Sequence, residues 1–191
     1  MIDCALSILE TDGIQALTLR RLAEAAGVSR QTPYLYFQDK AALVDAMRIA
    51  GLNRLTEAAQ AAVTGAEKED LVEQLRLVGE AYVRFGLENP GVYKLVFTPI
   101  RPDEPPTPEH KEAIEANQSV AETRMNAAWK DGLLALPPDR LNNVFWAALH
   151  GLISLHNEGL IADRQTFEQM RADLDYVLAC GFINRQGDTP C

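Results

Sequence analysis

The sequence predicts an all-α protein, with a small three-helix unit ahead of a larger helical bundle. Three observations carry this. Apolar residues recur at spacings of three and four along nearly the whole chain. No strand-like alternation lasts more than a few residues. Glycines, prolines and capping residues punctuate the apolar stripes at helix-length intervals. At 191 residues the chain can bury a substantial core. Its longest apolar runs fall well short of the roughly 20 residues a membrane helix needs, and no signal peptide is expected, since Asp3 and Glu10 flank the first apolar stretch.

The elements follow in order. Ile2, Ala5, Leu6 and Leu9 form the stripe of a first helix stopping at Gly13. Thr18 caps a second helix with Leu19, Leu22, Ala23 and Ala26 inward. Gly27-Val28 breaks it, and Ser29 caps a short third helix through Phe37. Asp39 caps a long fourth helix running through Leu43, Met47, Leu52 and Leu55 to Val63. Gly51 inside it costs about 1 kcal/mol relative to Ala unless close packing or a bend uses it. A fifth helix from Lys68 to Leu87 carries Leu71, Leu75, Val78, Tyr82 and Phe85. Asn89-Pro90 opens a sixth through Val96. Five prolines between Thr98 and Pro108 exclude continuous helix there, making this the one long loop. A seventh helix holds Ile114, Ala121, Met125 and Trp129. Pro137-Pro138 start an eighth reaching Leu160, a ninth covers Thr166 to Ile183, and the last eight residues read as a frayed tail. The implied domains are 1–46 and 47–191, with the fourth helix crossing the boundary.

Charge and cysteine content bound the function. The net charge of −9 argues against a wholly basic nucleic-acid-binding protein. Residues 18–40 depart from it: Arg20, Arg21, Arg30 and Lys40 stand against Glu24 and Asp39, a small basic footprint on an acidic body. Cys4, Cys180 and Cys191 are widely spaced with no CxxC, which reads as free thiols in a reducing compartment. His110, His150 and His156 are badly spaced for a shared metal site. No nucleophile–base pair or paired carboxylates point to catalysis, and no cofactor is implied.

The informative stretch is Thr18 to Phe37. A helix-turn-helix needs a small residue where its helices approach, a glycine with positive φ in the turn, and an apolar plug after it. Ala23, Gly27 and Val28 supply these. Arg30, Gln31 and Thr32 are then presented at the start of the second helix, where they can reach base edges in the major groove. A plain helical hairpin uses the same Ala and Gly. The tail of the motif favours DNA. Tyr34 and Tyr36 carry phenolic donors suited to phosphates, although one of them is expected to pack partly inward. Lys40 lies beside the free N–H groups at a helix start.

Residues 2–47 resemble the DNA-binding domain of the TetR/AcrR family, through Leu22-Ala-Glu-Ala-Ala-Gly-Val-Ser29 and Tyr34-x-x-Phe37-x-x-Lys40-x-x-Leu43. The resemblance implies that Thr18, Tyr34, Tyr36 and Lys40 hold phosphates, that Arg30, Gln31 and Thr32 read bases, and that Leu35 touches a thymine methyl. Pro33 inside the reading helix is costly unless it falls in the first turn, so that helix is expected to start late or tight. No basic arm precedes the first helix in this sequence, so minor-groove contacts of that kind are not expected. Downstream, Ala81–Phe97 and Phe145–Leu155, with Trp146, His150 and Gly151, resemble the subgroup named for its Trp and His-Gly motif; Pro33 fits the same subgroup.

Trp146 and His150 are one helical turn apart and are expected to share a face turned into one cavity, with His150 either a hydrogen-bonded core residue or ligand-facing. Tyr82, Phe85, Tyr93, Met125 and Trp129 complete a candidate effector pocket; as plain core they would look the same. The eighth and ninth helices are apolar on two sides, which calls for a second partner. Leu141, Phe145, Ala148, Leu152, Phe167, Met170, Leu174 and Val177 are the candidate homodimer seam. The resemblance implies a cytoplasmic repressor bound to a palindromic double-stranded operator and released by a small apolar or aromatic effector, through a shift of the fourth helix. The rival reading is a helical protein-interaction or small-molecule-binding module of the same fold with weak or lost DNA binding.

Overall fold

The computed structural model describes residues 1–66, 69–98 and 105–182, all of it helix and connecting turn, with no strand among the described residues. The α-helices are α1 (Ile2–Asp12), α2 (Leu19–Ala25), α3 (Lys40–Val63), α4 (Leu71–Glu88), α5 (Pro90–Phe97), α6 (Pro108–Lys130), α7 (Pro138–Asn157) and α8 (Arg164–Phe182). A 3₁₀ turn at Thr32–Leu35 lies between α2 and α3. Lys68 as a helix start, Pro99 and Pro102 of the long loop, Ile183 as a helix end, the C-terminal tail and the Cys191 thiol lie outside the described residues.

Most helix starts follow the capping chemistry of the sequence. The Thr18 hydroxyl accepts from the Arg21 N–H at 3.0 Å, and the Asp39 carboxylate accepts from the Ala42 N–H at 2.8 Å. Pro138 opens α7, and Asp163 caps α8 through the Thr166 N–H at 2.8 Å. Two expected caps are replaced. The Ser29 hydroxyl meets the Thr32 hydroxyl at 2.8 Å and caps no backbone N–H. Asn89 makes no side-chain cap on α5. There the Glu10 carboxylate accepts from the N–H groups of Gly91 and Val92, at 3.0 and 2.7 Å. A full carboxylate neutralises that helix start better than an amide oxygen, and it arrives from α1.

The chain forms two compact units, each assembled from separated stretches. The first comprises Met1–Thr56 and Glu88–Asn117; the second comprises Glu57–Leu87 and the chain from Gln118 onward. In the first, Leu6, Leu17, Leu22, Ala23, Leu43 and Met47 are buried. Gly51 is used for close packing: a Cβ there would stand 2.7 Å from a Val96 methyl and 2.9 Å from one of Val92. The second unit has its core at Leu75, Met125, Ala128, Leu134 and Leu141, with Phe145 and Ala179 packed against it. Arg171 reaches from α8 to the Gly79 carbonyl of α4 at 3.3 Å while pairing with Asp175, and Asn157 closes α7 onto the Gly86 carbonyl at 3.0 Å. No described helix is long and apolar enough to cross a membrane.

Candidate DNA-contacting head

α2 and the 3₁₀ turn are held by a tight connection. Leu22 and Ala23 are fully buried, the Val28 N–H donates to the Ala23 carbonyl at 3.0 Å, and Gly27 adopts φ +66°, a left-handed backbone that a Cβ disfavours. Val28 is a partial plug, since 39% of it remains exposed. The expected reading helix is shorter and tighter than its sequence pattern suggests. It begins at Thr32, not Ser29, and makes one 3₁₀ turn. Pro33 occupies its first turn, where the missing N–H has no helical acceptor to lose, and the ring is buried. Phe37 is buried at the far end.

Between these two anchors Tyr34, Leu35 and Tyr36 are 60, 82 and 69% exposed. Both tyrosines are therefore mostly in solvent, and neither is a core residue. Only Pro33 and Phe37 of this run are buried; they stand four residues apart, and the Phe37 N–H donates to the Pro33 carbonyl at 2.9 Å. Arg30 and Gln31 are exposed and Thr32 is half-buried.

The positive charge is narrower than the count of basic residues. Arg20 pairs with Glu24 at 3.0 Å and Arg21 with Asp12 at 2.7 Å. Lys40 donates to the Ile14 carbonyl at 2.9 Å, which leaves its charge uncompensated, and Arg30 has no ion pair among the described residues. Arg30 and Lys40 flank the exposed run in the sequence, and of the four basic residues between 18 and 40 they are the two outside an ion pair among the described residues. Thr18, already committed to its cap, sits exposed at the start of α2.

In the second unit, Trp146 and His150 share a face as expected, their rings 5.6 Å apart. That face is not enclosed within this chain: Trp146 is 47% exposed, as is 42% of Trp129. His150 is half-buried, its Nε2 lies 3.4 Å from the Ser154 hydroxyl, and burial pushes its pKa below the ordinary histidine value. Met125 is packed inside the core cluster, Phe85 is buried and Tyr82 half-buried. Tyr93 is buried in the first unit, so the seven candidate pocket residues do not belong to one unit. Among the described residues no group of His, Cys, Asp and Glu is placed to hold a metal ion; Cys4 and Cys180 are free thiols.

The candidate dimer seam divides differently from the sequence reading. Leu141, Leu152 and Phe167 are buried in their own chain, and Phe145 packs on the core, so these four are interior residues. The outward face of α7 keeps Ala148 of the candidate seam, half-buried, and carries with it Val144, Gly151 and Leu155, spaced four, three and four in order along the chain. A Cβ at Gly151 would meet no atom within 4 Å. On α8, Met170 and Val177 are exposed as the sequence reading requires, and Leu174 is half-buried. Both faces are apolar, so periodicity alone could not say which one the chain covers itself. Val144 and Gly151 are recognisable as outward-facing only once Leu149 and Ile153 are seen inside.

Comparison with known proteins agrees with this geometry. Residues 1–47 match the family described as bacterial regulatory proteins, tetR family, and residues 75–178 match the tetracyclin repressor-like C-terminal domain. The tetracycline repressor protein class D of Escherichia coli is 41% identical over 54 residues, which are 28% of this chain. That match spans 25% of the length of the relative. Along the whole chain, a solved structure of a protein of unknown function from Rhodococcus sp. RHA1 is 29% identical with a TM-score of 0.79, covering 94% of this chain and 92% of that one. A TetR family transcription regulator from Marinobacter aquaeolei VT8 shares the fold at 22% identity and a TM-score of 0.69, covering 96% of this chain and 94% of that one. The exposed turn between Pro33 and Phe37, and the family matches covering both parts of the chain, lead to one conclusion: this chain belongs to the TetR family of bacterial DNA-binding transcriptional regulators.

Proposed function

We propose that the chain is a ligand-responsive repressor that binds a palindromic duplex as a homodimer. The observation that carries the reading is the run Tyr34-Leu35-Tyr36, solvent-exposed between two buried anchors and flanked by Arg30 and Lys40. Two aromatic side chains and a leucine held out in water gain nothing in the isolated chain, whereas a groove gives each a role. The phenols and Lys40 suit phosphates, together with Thr18 at the α2 start; Leu35 suits a thymine methyl; Arg30, Gln31 and Thr32 suit base edges. On this reading residues 1–46 form the DNA-binding domain and 47–191 the effector and dimerisation domain, in the cytoplasm with its operator.

Dimerisation is supported by the apolar faces of α7 and α8. Val144, Leu155, Met170 and Val177 remain exposed around the small residues Ala148 and Gly151, and a two-fold pairing would bury them. Trp146, His150 and Gly151, with Pro33, support membership of the Trp and His-Gly subgroup. The open face of Trp146 and His150 suits a small apolar or aromatic effector, and no catalytic step is assigned to any residue. The test is selection of duplexes from a random library by the full chain, followed by binding titrations at several salt concentrations. Enrichment of a palindrome, bound in a salt-dependent manner and released by an apolar or aromatic compound, is the expected result; failure to enrich any sequence overturns the reading.

A further inference from the structure

The outward face of α7 carries a charge order that complements itself when the helix is turned end for end. Along it stand Arg140, Val144, Ala148, Gly151, Leu155 and the capping residue Glu158. Arg140 and Glu158 are 18 residues apart, about five turns of helix, so they mark the two ends of one line. Both are exposed, as are Val144 and Leu155 between them. Each end runs against the helix dipole, with a cation in the first turn and a carboxylate at the C-terminal cap. Asp139, next to Arg140, has the sign the dipole favours. Within its own chain α7 therefore gains nothing from the placement of Arg140 and Glu158, and such a breach of a local rule points to a use elsewhere.

Gly151 lies near the middle of the line. Gly51 of α3 is explained by Val92 and Val96, whereas a Cβ at Gly151 would meet no atom within 4 Å. Nothing in the chain's own packing asks for glycine there, and with Ala148 one turn before it the backbone is left open to a second helix. A two-fold axis crossing α7 midway between Ala148 and Gly151 sets Ala148 against the partner's Gly151 and Val144 against the partner's Leu155. Arg140 falls against the partner's Glu158 to within one residue, about 1.5 Å along the axis, well inside the reach of the two side chains. An isologous contact repeats every pairing, so one dimer holds two such ion pairs at the rim of an apolar centre. A parallel arrangement sets Arg140 beside the partner's Arg140 and Glu158 beside the partner's Glu158, which repels at both ends.

We propose that this face is a self-recognition surface: α7 pairs antiparallel with α7 of a second copy of this chain, and Arg140 and Glu158 set the register and select the partner. The proposal rests on the homodimer reading above and adds orientation, register and partner choice to it. The apolar centre holds the two helices together without discriminating between partners. The charged ends reject a helix of similar apolarity whose charge order differs.

The experiment is equilibrium sedimentation of the full chain, with native mass spectrometry on mixtures. Arg140→Glu sets carboxylate against carboxylate at both rims, and Glu158→Arg sets guanidinium against guanidinium. In each variant two pairs change from attraction to repulsion, so each alone should dimerise roughly tenfold more weakly than wild type. Both substitutions suit the helix dipole and lie at exposed positions, so neither should lower the thermal stability of the monomer. An equimolar mixture of the two variants restores opposite charges at both rims and should form a heterodimer about as tight as the wild-type dimer. Gly151→Leu should fold and dimerise at least tenfold more weakly. If the wild type dimerises but the single charge variants dimerise as tightly, or if their mixture recovers no affinity, the register and partner choice are refuted while the homodimer reading stands. A wild type that stays monomeric at micromolar concentration removes the homodimer reading, and the proposal with it.

Discussion

Aspartate at position 18 should leave the fold at least as stable as before and weaken duplex binding at least tenfold, whereas alanine should weaken both. Thr18 stands in extended backbone at φ −137°, ψ 156°, with its hydroxyl accepting from the Arg21 N–H at 3.0 Å. Removing such a cap costs about 1 kcal/mol, which for a chain of this length lowers Tm by about 2–4 °C. Aspartate caps as well as threonine and adds a charge at the helix N-terminus worth about 0.3–1 kcal/mol. Duplex binding separates the variants in the opposite sense. A phosphate hydrogen bond is worth about 1 kcal/mol, so alanine should bind about fivefold more weakly. A carboxylate about 4 Å from a phosphate is repelled by about 1–4 kcal/mol between bulk-water and surface-like dielectrics, so aspartate should bind at least tenfold more weakly. Thermal unfolding and fluorescence anisotropy with a selected duplex provide the two readouts. Wild-type affinity in Thr18→Asp would mean that the α2 start faces away from the DNA backbone. A Tm as low as that of Thr18→Ala would mean that the cap is not what the threonine contributes.

Arg30→Ala and Lys40→Ala should each weaken binding, and Lys40→Ala should lower the salt slope by about one, because one fewer phosphate is neutralised; unchanged slopes would misplace the charge of the head. Leu141→Ala should cost about 2–5 kcal/mol in denaturant unfolding, as expected for an interior leucine, while Val144→Asp should leave each chain folded but shift sedimentation toward monomer. Gly27→Ala, at φ +66°, should lose about 1 kcal/mol in the same unfolding assay. Burial lowers the His150 pKa, so below the ordinary value near 6.5 the unfolded chain takes up this proton more readily than the folded one. Stability should therefore rise with pH from the lowered value up to about 6.5 and be lost as pH falls through that window. His150→Asn should flatten this slope in pH-dependent melting, and an equal slope in the variant would assign the effect elsewhere.

Local chemistry was legible in the sequence because it is written in neighbouring residues. Thr18, Asp39 and Pro138 start their helices where their side chains dictate, and Ala23 and Gly27 shape the turn as its geometry requires. Pro33 correctly predicted a late, tight start to the reading turn, since a missing N–H is tolerated only there. The sequence thus determined the helical class, the element order and the head. Tertiary structure decided which of two apolar faces on α7 is interior, because both satisfy helical periodicity and only packing against Leu75 and Met125 separates Leu141 from Val144. It also decided that Tyr34 and Tyr36 are both mostly exposed, because the turn closes Phe37 onto the Pro33 carbonyl and those two residues are the buried ones. The cap on α5 comes from Glu10, far upstream in the chain, and the partner of His110 is Asp45. A carboxylate satisfies whatever donor the fold brings within 3 Å of it, and that is fixed by how helices pack, not by spacing along the chain.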